Sequence, residues 1–169
     1  MITATDEGVL PSMTIWLDPG KTTGYAYLTD SYNFHSGEAD FMSLGTQLEL
    51  TFSVHGSAAW VGWEDFLITP RTAAMHGSEF ALEVIGVARY LATKYECTIL
   101  DPCPPSGREL GSLQKLRRLG WYTPGKVHAN DASSHLLAYC LREHILPDDL
   151  LHKALSGYTD DDELEALEG

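Results

Sequence analysis

Apolar and polar residues recur along the chain with periods that predict an ordered series of strands and helices. Two apolar runs, 13–18 and 23–28, are joined by a tight DPGKTTG turn, and 32–38 can add a third strand. These three segments are therefore expected to form an antiparallel meander. The segment 41–52 then carries apolar residues at helical spacing, which predicts a helix after the meander.

The rest of the chain alternates between strand and helix patterns. The run AAWVGWEDFL (58–67) predicts a strand, 77–95 is the clearest amphipathic helix, and CTILDPCPP (97–105) is a short strand stopped by prolines. A basic helix over about 108–119 and a final helix over about 128–143 complete the series. A meander followed by alternating strands and helices is typical of an α/β domain with a mixed sheet flanked by helices.

Length and composition fit one globular domain. The chain has 169 residues, of which 44% are hydrophobic and 21% charged, and we predict a domain over 1–146 followed by an acidic tail over 147–169. No apolar run approaches the roughly 20 residues of a membrane span, and the polar N-terminal segment does not resemble a signal peptide. Three cysteines without CxxC spacing are expected to be reduced. We therefore expect a cytoplasmic protein.

The net charge of −13 is unevenly distributed. The segment 147–169 has eight acidic residues against one lysine, giving −7, whereas 108–126 has five basic residues against one acidic residue, giving +4. A nucleic-acid-binding protein is expected to have a basic surface, and this basic stripe is the one concentrated positive segment. It is either a DNA contact or an ordinary solvated helix face.

Two carboxylates fall at the ends of predicted strands. Asp18 ends the first strand and Glu64 lies late in the strand over 58–67; alternation puts Glu64 and Asp65 on opposite faces, and we choose Glu64. If the two strands are neighbours, Asp18 and Glu64 converge at one sheet edge. The alternatives are a turn residue for Asp18 and a surface charge for Glu64.

The final helix begins with a third group of polar residues. His128 and Asp131 are three positions apart and share one face of its first turn. An imidazole and three carboxylates suit Mg²⁺ or Mn²⁺, and two such ions can drive phosphodiester hydrolysis. Asp131 could instead cap the helix, and His128 could bond a loop carbonyl. His135, one turn further, is expected to be structural.

At these residues the chain resembles a known family. The motifs WLDPGKTTGYAYL, WVGWEDF and HANDASSHLLAYC, in that order, are similar to those of the RuvC-type Holliday junction resolvases of the RNase H-like superfamily, particularly phage-encoded relatives. The resemblance covers about 13–143 and implies an RNase H-like fold with a mixed five-stranded sheet. It implies that Asp18 contacts two metal ions, that Glu64 holds one, and that His128 and Asp131 form the family's His-x-x-Asp pair.

The resemblance also implies a substrate and an assembly. It predicts cleavage of branched DNA by a homodimer with two Mg²⁺ or Mn²⁺ ions per site and no nucleotide cofactor. In the family, an aromatic residue three positions after the glutamate wedges the junction, whereas here Phe66 follows Glu64 by two positions. The candidate DNA contacts are Lys21, Phe66, Arg108, Lys115, Arg117, Arg118 and Lys126.

Two other classes of function remain open from the sequence. The DPGKTTG turn also resembles the first phosphate loop of the actin and sugar-kinase superfamily, although those proteins enclose ATP between two domains and this chain is long enough for one. A non-catalytic binding module or DNA mimic would use the acidic balance and the acidic tail instead. Length argues against the phosphate-binding alternative, and the set of possible metal ligands argues against the non-catalytic module.

Overall fold

The computed structural model describes residues 10–65, 78–103 and 105–156, and it contains one mixed β-sheet. The strands follow the order β3-β2-β1-β4-β5, in which β1, β2 and β3 are antiparallel and β1, β4 and β5 are parallel. Their bounds are β1 (Met13–Asp18), β2 (Thr23–Thr29), β3 (Phe34–Ala39), β4 (Ala59–Trp63) and β5 (Thr98–Ile99). The predicted meander and the predicted mixed five-stranded sheet are confirmed.

Helices cover both faces of this sheet. The α-helices are α1 (Phe41–His55), α2 (Ser78–Lys94), α3 (Leu113–Leu119), α4 (Val127–Arg142) and α5 (Asp148–Leu155), and short 3₁₀ helices span Gly56–Ala58 and Pro105–Gly111. Within the three described ranges, no helix has both the length and the apolar character needed to cross a membrane.

Side-chain alternation along β1 divides the core into two layers. Trp16 packs with α4 on one face of the sheet, whereas Ile15 and Leu17 pack with α1 and α2 on the other. All three side chains are buried, and so is every residue of α4 from Ala129 to Leu141 except Asp131. The even-numbered positions of β1, which end at Asp18, therefore face α4.

The structure corrects two details of the sequence-based prediction. The third strand begins at Phe34 instead of residue 32, because Tyr32 has a positive φ of 58° and belongs to the turn. The single basic helix predicted over 108–119 is instead the 3₁₀ helix Pro105–Gly111 followed by α3. The 3₁₀ helix ends at Gly111, whose backbone lies against Ser134 of α4 and leaves no room for a Cβ atom.

The predicted acidic tail, 147–169, begins with a helix that packs on the domain. In α5, Ala154 is fully buried in the core cluster that also contains Leu116 and Leu119 of α3. The rest of the predicted tail, 157–169, lies outside the described residues, as does Phe66.

The N-terminal end of α4 lies directly on β2. At Gly24 an added Cβ atom would overlap the carbonyl oxygen of His128, so only glycine allows the helix to approach this strand so closely. Glu38 of β3 pairs with Gly24 across the sheet, and its Oε1 accepts a hydrogen bond from the His128 backbone N–H at 3.1 Å. A carboxylate at a helix N-terminus is favourable because it satisfies an orphan N–H and faces the positive end of the helix dipole.

We predict that Gly24→Ala destabilises the protein by about 2–3 kcal/mol, or roughly 5–10 °C in melting temperature, because two backbone segments must separate. Thermal unfolding followed by circular dichroism measures the change. The matched control is Gly86→Ala in α2, where nothing lies within 4 Å of an added Cβ atom and a gain of about 0.5–1 kcal/mol is expected. Equal melting temperatures for the two variants would contradict this account of α4 docking.

Candidate active site

The parallel pairing of β1 and β4 brings two carboxylates to one edge of the sheet. Leu17 pairs with Trp63, and the backbone N–H of Glu64 donates to the Leu17 carbonyl at 3.0 Å, so Asp18 and Glu64 occupy adjacent strand ends. Both side chains are mostly buried, with 15% and 20% of their surfaces exposed. The convergence expected if these strands were neighbours is therefore present.

The first turn of α4 supplies an imidazole to Asp18. The Nδ1 atom of His128 lies 2.8 Å from Asp18 Oδ2. An ionised carboxylate only accepts hydrogen bonds, so the imidazole donates from Nδ1 and keeps its lone pair on Nε2 when it is neutral. Glu38 holds the backbone of His128, and Lys126 lies 3.4 Å from Glu38 Oε2. The first turn of α4 is therefore held both through the His128 side chain, by Asp18, and through the His128 backbone, by Glu38.

Asp131 forms an ion pair one helical turn further along α4. Its Oδ2 lies 2.9 Å from an Nη atom of Arg108, which belongs to the 3₁₀ helix before α3. The N-cap residue of α4 is Lys126, which makes no side-chain capping hydrogen bond. Asp131 is therefore engaged with a cation instead of the cap that was the alternative interpretation, and Arg108 reaches the edge where the carboxylates lie.

A third pair joins Glu64 to α4. The Nε2 atom of His135 lies 2.9 Å from Glu64 Oε2, and the imidazole is completely buried. His128, Asp131 and His135 thus form a stripe with a spacing of three and then four residues. The sequence predicts a structural role for His135, on the same side of the helix as Asp131, but not its contact with Glu64.

The three carboxylates influence one another electrostatically. Burial raises the pKa of Asp18 above its ordinary value, the hydrogen bond from His128 opposes that shift, and the negative charges of Glu64 and Asp131 raise the pKa further. A carboxyl group with a raised pKa in the folded state is less favourable when ionised there than in the unfolded chain. The edge therefore has an excess of negative charge that a bound cation would relieve.

The donor atoms fit a hard divalent cation, although they are not gathered around one point. Within 10–65, 78–103 and 105–156, no three His, Cys, Asp or Glu side chains form a cluster ready to hold a metal ion. Each carboxylate that was predicted as a ligand instead pairs with one other side chain: Asp18 with His128, Glu64 with His135 and Asp131 with Arg108. Carboxylate and imidazole ligands suit Mg²⁺ or Mn²⁺, and binding requires these side chains to turn toward a shared centre.

The predicted DNA contacts fall into two groups. Arg108 and Lys126 lie at the carboxylate edge through their ion pairs, and Lys21 is an exposed residue in the turn that follows Asp18. The other residues are on α3: Lys115 donates to the Leu110 carbonyl at 2.7 Å, and the Arg117 guanidinium lies 4.8 Å from the centre of the Tyr122 ring. Arg118 is also on α3 and is partly buried.

Glu38 is the residue at this edge that the sequence analysis missed. In register, Asp18 pairs with Gly24 and Gly24 pairs with Glu38, so the three positions form one row across the meander. A glutamate at the end of the predicted third strand was the available signal. It could have been found only with the strand register, because the row depends on which residues pair.

We predict that Asp18→Asn melts at a higher temperature than the wild type in EDTA at neutral pH. The substitution removes a charge that burial and two neighbouring carboxylates disfavour, and the asparagine oxygen can still accept from His128. For the same reason, wild-type stability should gain as pH falls through the raised folded-state pKa of Asp18. With excess Mn²⁺ the order should reverse, because only the wild type retains the carboxylate ligand.

Glu49→Gln is the matched control for these melts. Glu49 lies on α1, away from the site, and its hydrogen bond from Lys94 lowers the pKa of its carboxyl group. Neutralising it should not raise the melting temperature. An Asp18→Asn protein that is less stable than the wild type in EDTA would contradict the electrostatic account of the edge.

The fold of this chain is similar to that of solved structures. The structure of T. thermophilus RuvC in complex with a Holliday junction substrate is similar to this chain, with a TM-score of 0.56 and 11% sequence identity, and the match covers 79% of this chain and 95% of the RuvC chain. No protein-family model and no curated protein sequence matches the chain. At this identity the likeness establishes the fold alone, and it confirms the predicted RNase H-like α/β fold.

Proposed function

We propose that this protein is a metal-dependent, structure-specific endonuclease that hydrolyses phosphodiester bonds in branched DNA. The observation that carries the proposal is the convergence of Asp18, Glu64 and the His128–Asp131 turn of α4 at one sheet edge. The shared fold with a RuvC that was solved on a Holliday junction adds support. The four-way junction is accordingly the first substrate to test.

Four side chains would hold the divalent ions: Asp18, Glu64, His128 and Asp131. When bound, two such ions supply the acidity that activates a water molecule and stabilises the leaving oxygen in phosphodiester hydrolysis. Burial leaves the Asp18 carboxylate poorly solvated, so a cation beside it would favour the ionised form. His128 contributes a neutral nitrogen, which keeps part of the ligand set uncharged.

The cationic side chains at the edge would bind phosphate groups of the DNA backbone. Arg108 is about half exposed and is paired with Asp131, and Lys126 is exposed and is paired with Glu38. When metal ions neutralise the carboxylates, Arg108 can exchange Asp131 for a phosphate oxygen, with which guanidinium forms strong charge-assisted bonds. Binding by an acidic protein is then coupled to metal loading.

A homodimer would match the two-fold symmetry of a four-way junction and supply one site for each of two strands.

We predict that the purified protein cuts a labelled four-way junction in Mn²⁺ or Mg²⁺, and that EDTA abolishes cutting. Asp18→Asn and Glu64→Gln should each lower the rate by at least about 100-fold, because the carboxylate charge that holds the cation is lost. Gel assays with a junction, a flap, a fork and a linear duplex measure both rate and preference. Glu49→Gln is again the control and should cut at the wild-type rate. Full activity in either site variant would exclude this site, and DNA binding without metal-dependent cutting would favour a binding module.

The His128–Asp131 turn makes a second prediction. Asp131→Asn should be inactive, whereas its melting temperature should change little because the lost ion pair with Arg108 is half exposed. His128→Asp should remain active, since a carboxylate can replace the imidazole as a ligand, and His128→Ala should require more Mn²⁺. Cleavage rate against Mn²⁺ concentration, with thermal melts alongside, tests all three. An active Asp131→Asn would remove α4 from the proposed metal site.

A further inference from the structure

His135 is a buried titratable side chain that the proposed chemistry does not use. It lies on the same stripe of α4 as His128 and Asp131, but none of its surface is exposed, so it is not itself a ligand open to solvent. Its Nε2 atom is 2.9 Å from Glu64 Oε2, and Glu64 is the carboxylate that β4 brings to the edge. The pair therefore connects the interior of the domain to the proposed metal site.

Aromatic packing fixes the orientation of the His135 ring. The ring stacks on the indole of Trp16, with centroids 6.0 Å apart and planes at 14°, and Tyr139 contacts the same indole at 5.6 Å. Trp16 is fully buried and lies over Gly62 of β4, where an added Cβ atom would be 2.6 Å from the indole ring. The absence of a side chain at Gly62 lets Trp16 occupy this position, and Trp16 in turn supports His135.

The contact with Glu64 determines which ring nitrogen carries the proton. Because a carboxylate accepts hydrogen bonds, His135 donates from Nε2 and its Nδ1 holds the lone pair when the ring is neutral. Among the described residues, buried Nδ1 has no hydrogen-bond partner. An unsatisfied buried nitrogen costs free energy that a leucine at this position would avoid. A functional role for the hydrogen bond from His135 Nε2 to Glu64 would explain why this position is a histidine and not a leucine.

We infer that His135 is a positioning residue for Glu64: it donates from Nε2 to Oε2, fixes the rotation of the carboxylate, and leaves Oε1 as the oxygen that a divalent cation can take. This inference rests on the proposed metal-dependent function. Donors that orient ligating carboxylates typically change metal affinity or activity by about 10- to 100-fold when they are removed. His135 would thus set the metal concentration at which the protein works.

The test compares two substitutions that differ in one hydrogen bond. His135→Leu fills a similar volume without a donor, and His135→Gln places an amide N–H near the position of Nε2. Calorimetric titration of each protein with Mn²⁺, without DNA, measures metal affinity, and junction cutting against Mn²⁺ concentration measures its use. His135→Leu should weaken Mn²⁺ binding about 10- to 100-fold and shift half-maximal cutting by the same factor, whereas His135→Gln should stay within about threefold of the wild type.

Cys140→Ala separates positioning from general damage to α4. Cys140 is fully buried on the same helix, in the core cluster that also contains Leu136 and Leu137. Its truncation should lower the melting temperature while Mn²⁺ affinity stays within about twofold of the wild type. A Cys140→Ala protein that loses as much affinity as His135→Leu would overturn the inference, because helix packing alone would then explain the loss.

Nuclear magnetic resonance of the metal-free protein gives a readout without activity. Long-range ¹H–¹⁵N spectra distinguish histidine tautomers, and His135 should carry its proton on Nε2 in the wild type, with an Nε2–H resonance that shifts in Glu64→Ala because the hydrogen bond is lost. A proton on Nδ1, or a spectrum that Glu64→Ala leaves unchanged, would overturn the inference.

The two proposals can fail separately. If the wild type binds Mn²⁺ but cuts none of the branched substrates, the nuclease proposal fails and the comparison of Mn²⁺ affinities still decides the role of His135. If the wild type cuts and His135→Leu has the same Mn²⁺ dependence, the positioning role is wrong and the nuclease proposal stands. A wild type that binds no Mn²⁺ overturns both.

Discussion

Carboxylates that share a partly buried edge repel one another and lose hydration, so each needs a partner that donates to it. The parallel pairing of β1 and β4 creates this situation by setting Asp18 beside Glu64, and α4 adds Asp131. Each carboxylate has one such partner. His128 pairs with Asp18, His135 with Glu64 and Arg108 with Asp131. The spacing of His128, Asp131 and His135 along α4 brings these side chains to the edge, and Gly24 lets the helix lie close to β2.

If the protein acts on DNA as proposed, these pairs would prepare an acidic protein for a polyanionic substrate. Without metal the carboxylates are held by imidazoles and a guanidinium, which limits repulsion but leaves the pKa of Asp18 raised. Carboxylate and imidazole side chains that suit a hard cation lie at one sheet edge, and metal-dependent DNA cleavage is the function that we propose for them. Metal loading would then release the edge cations toward phosphate.

Much of the fold and part of the site could be predicted from the sequence. Apolar patterning predicted β1 and β4, alternation put Glu64 and Asp65 on opposite faces, and helical spacing placed His128 and Asp131 on one face. Tertiary packing decided the rest. The break at Gly111 depends on contact with α4, the Glu38 contact depends on strand register, and the burial of His135 depends on Trp16. None of these contacts leaves a local pattern in the chain.

The central claim is that Asp18, Glu64 and the first turns of α4 form one metal site. A crystal structure of the protein grown with Mn²⁺, with anomalous differences collected at the manganese edge, tests it most directly. We expect anomalous peaks bound by Asp18 and Glu64, with His128 and Asp131 turned from their present partners toward the ions. Crystals that bind Mn²⁺ elsewhere while Asp18–His128 and Asp131–Arg108 stay paired would contradict the account.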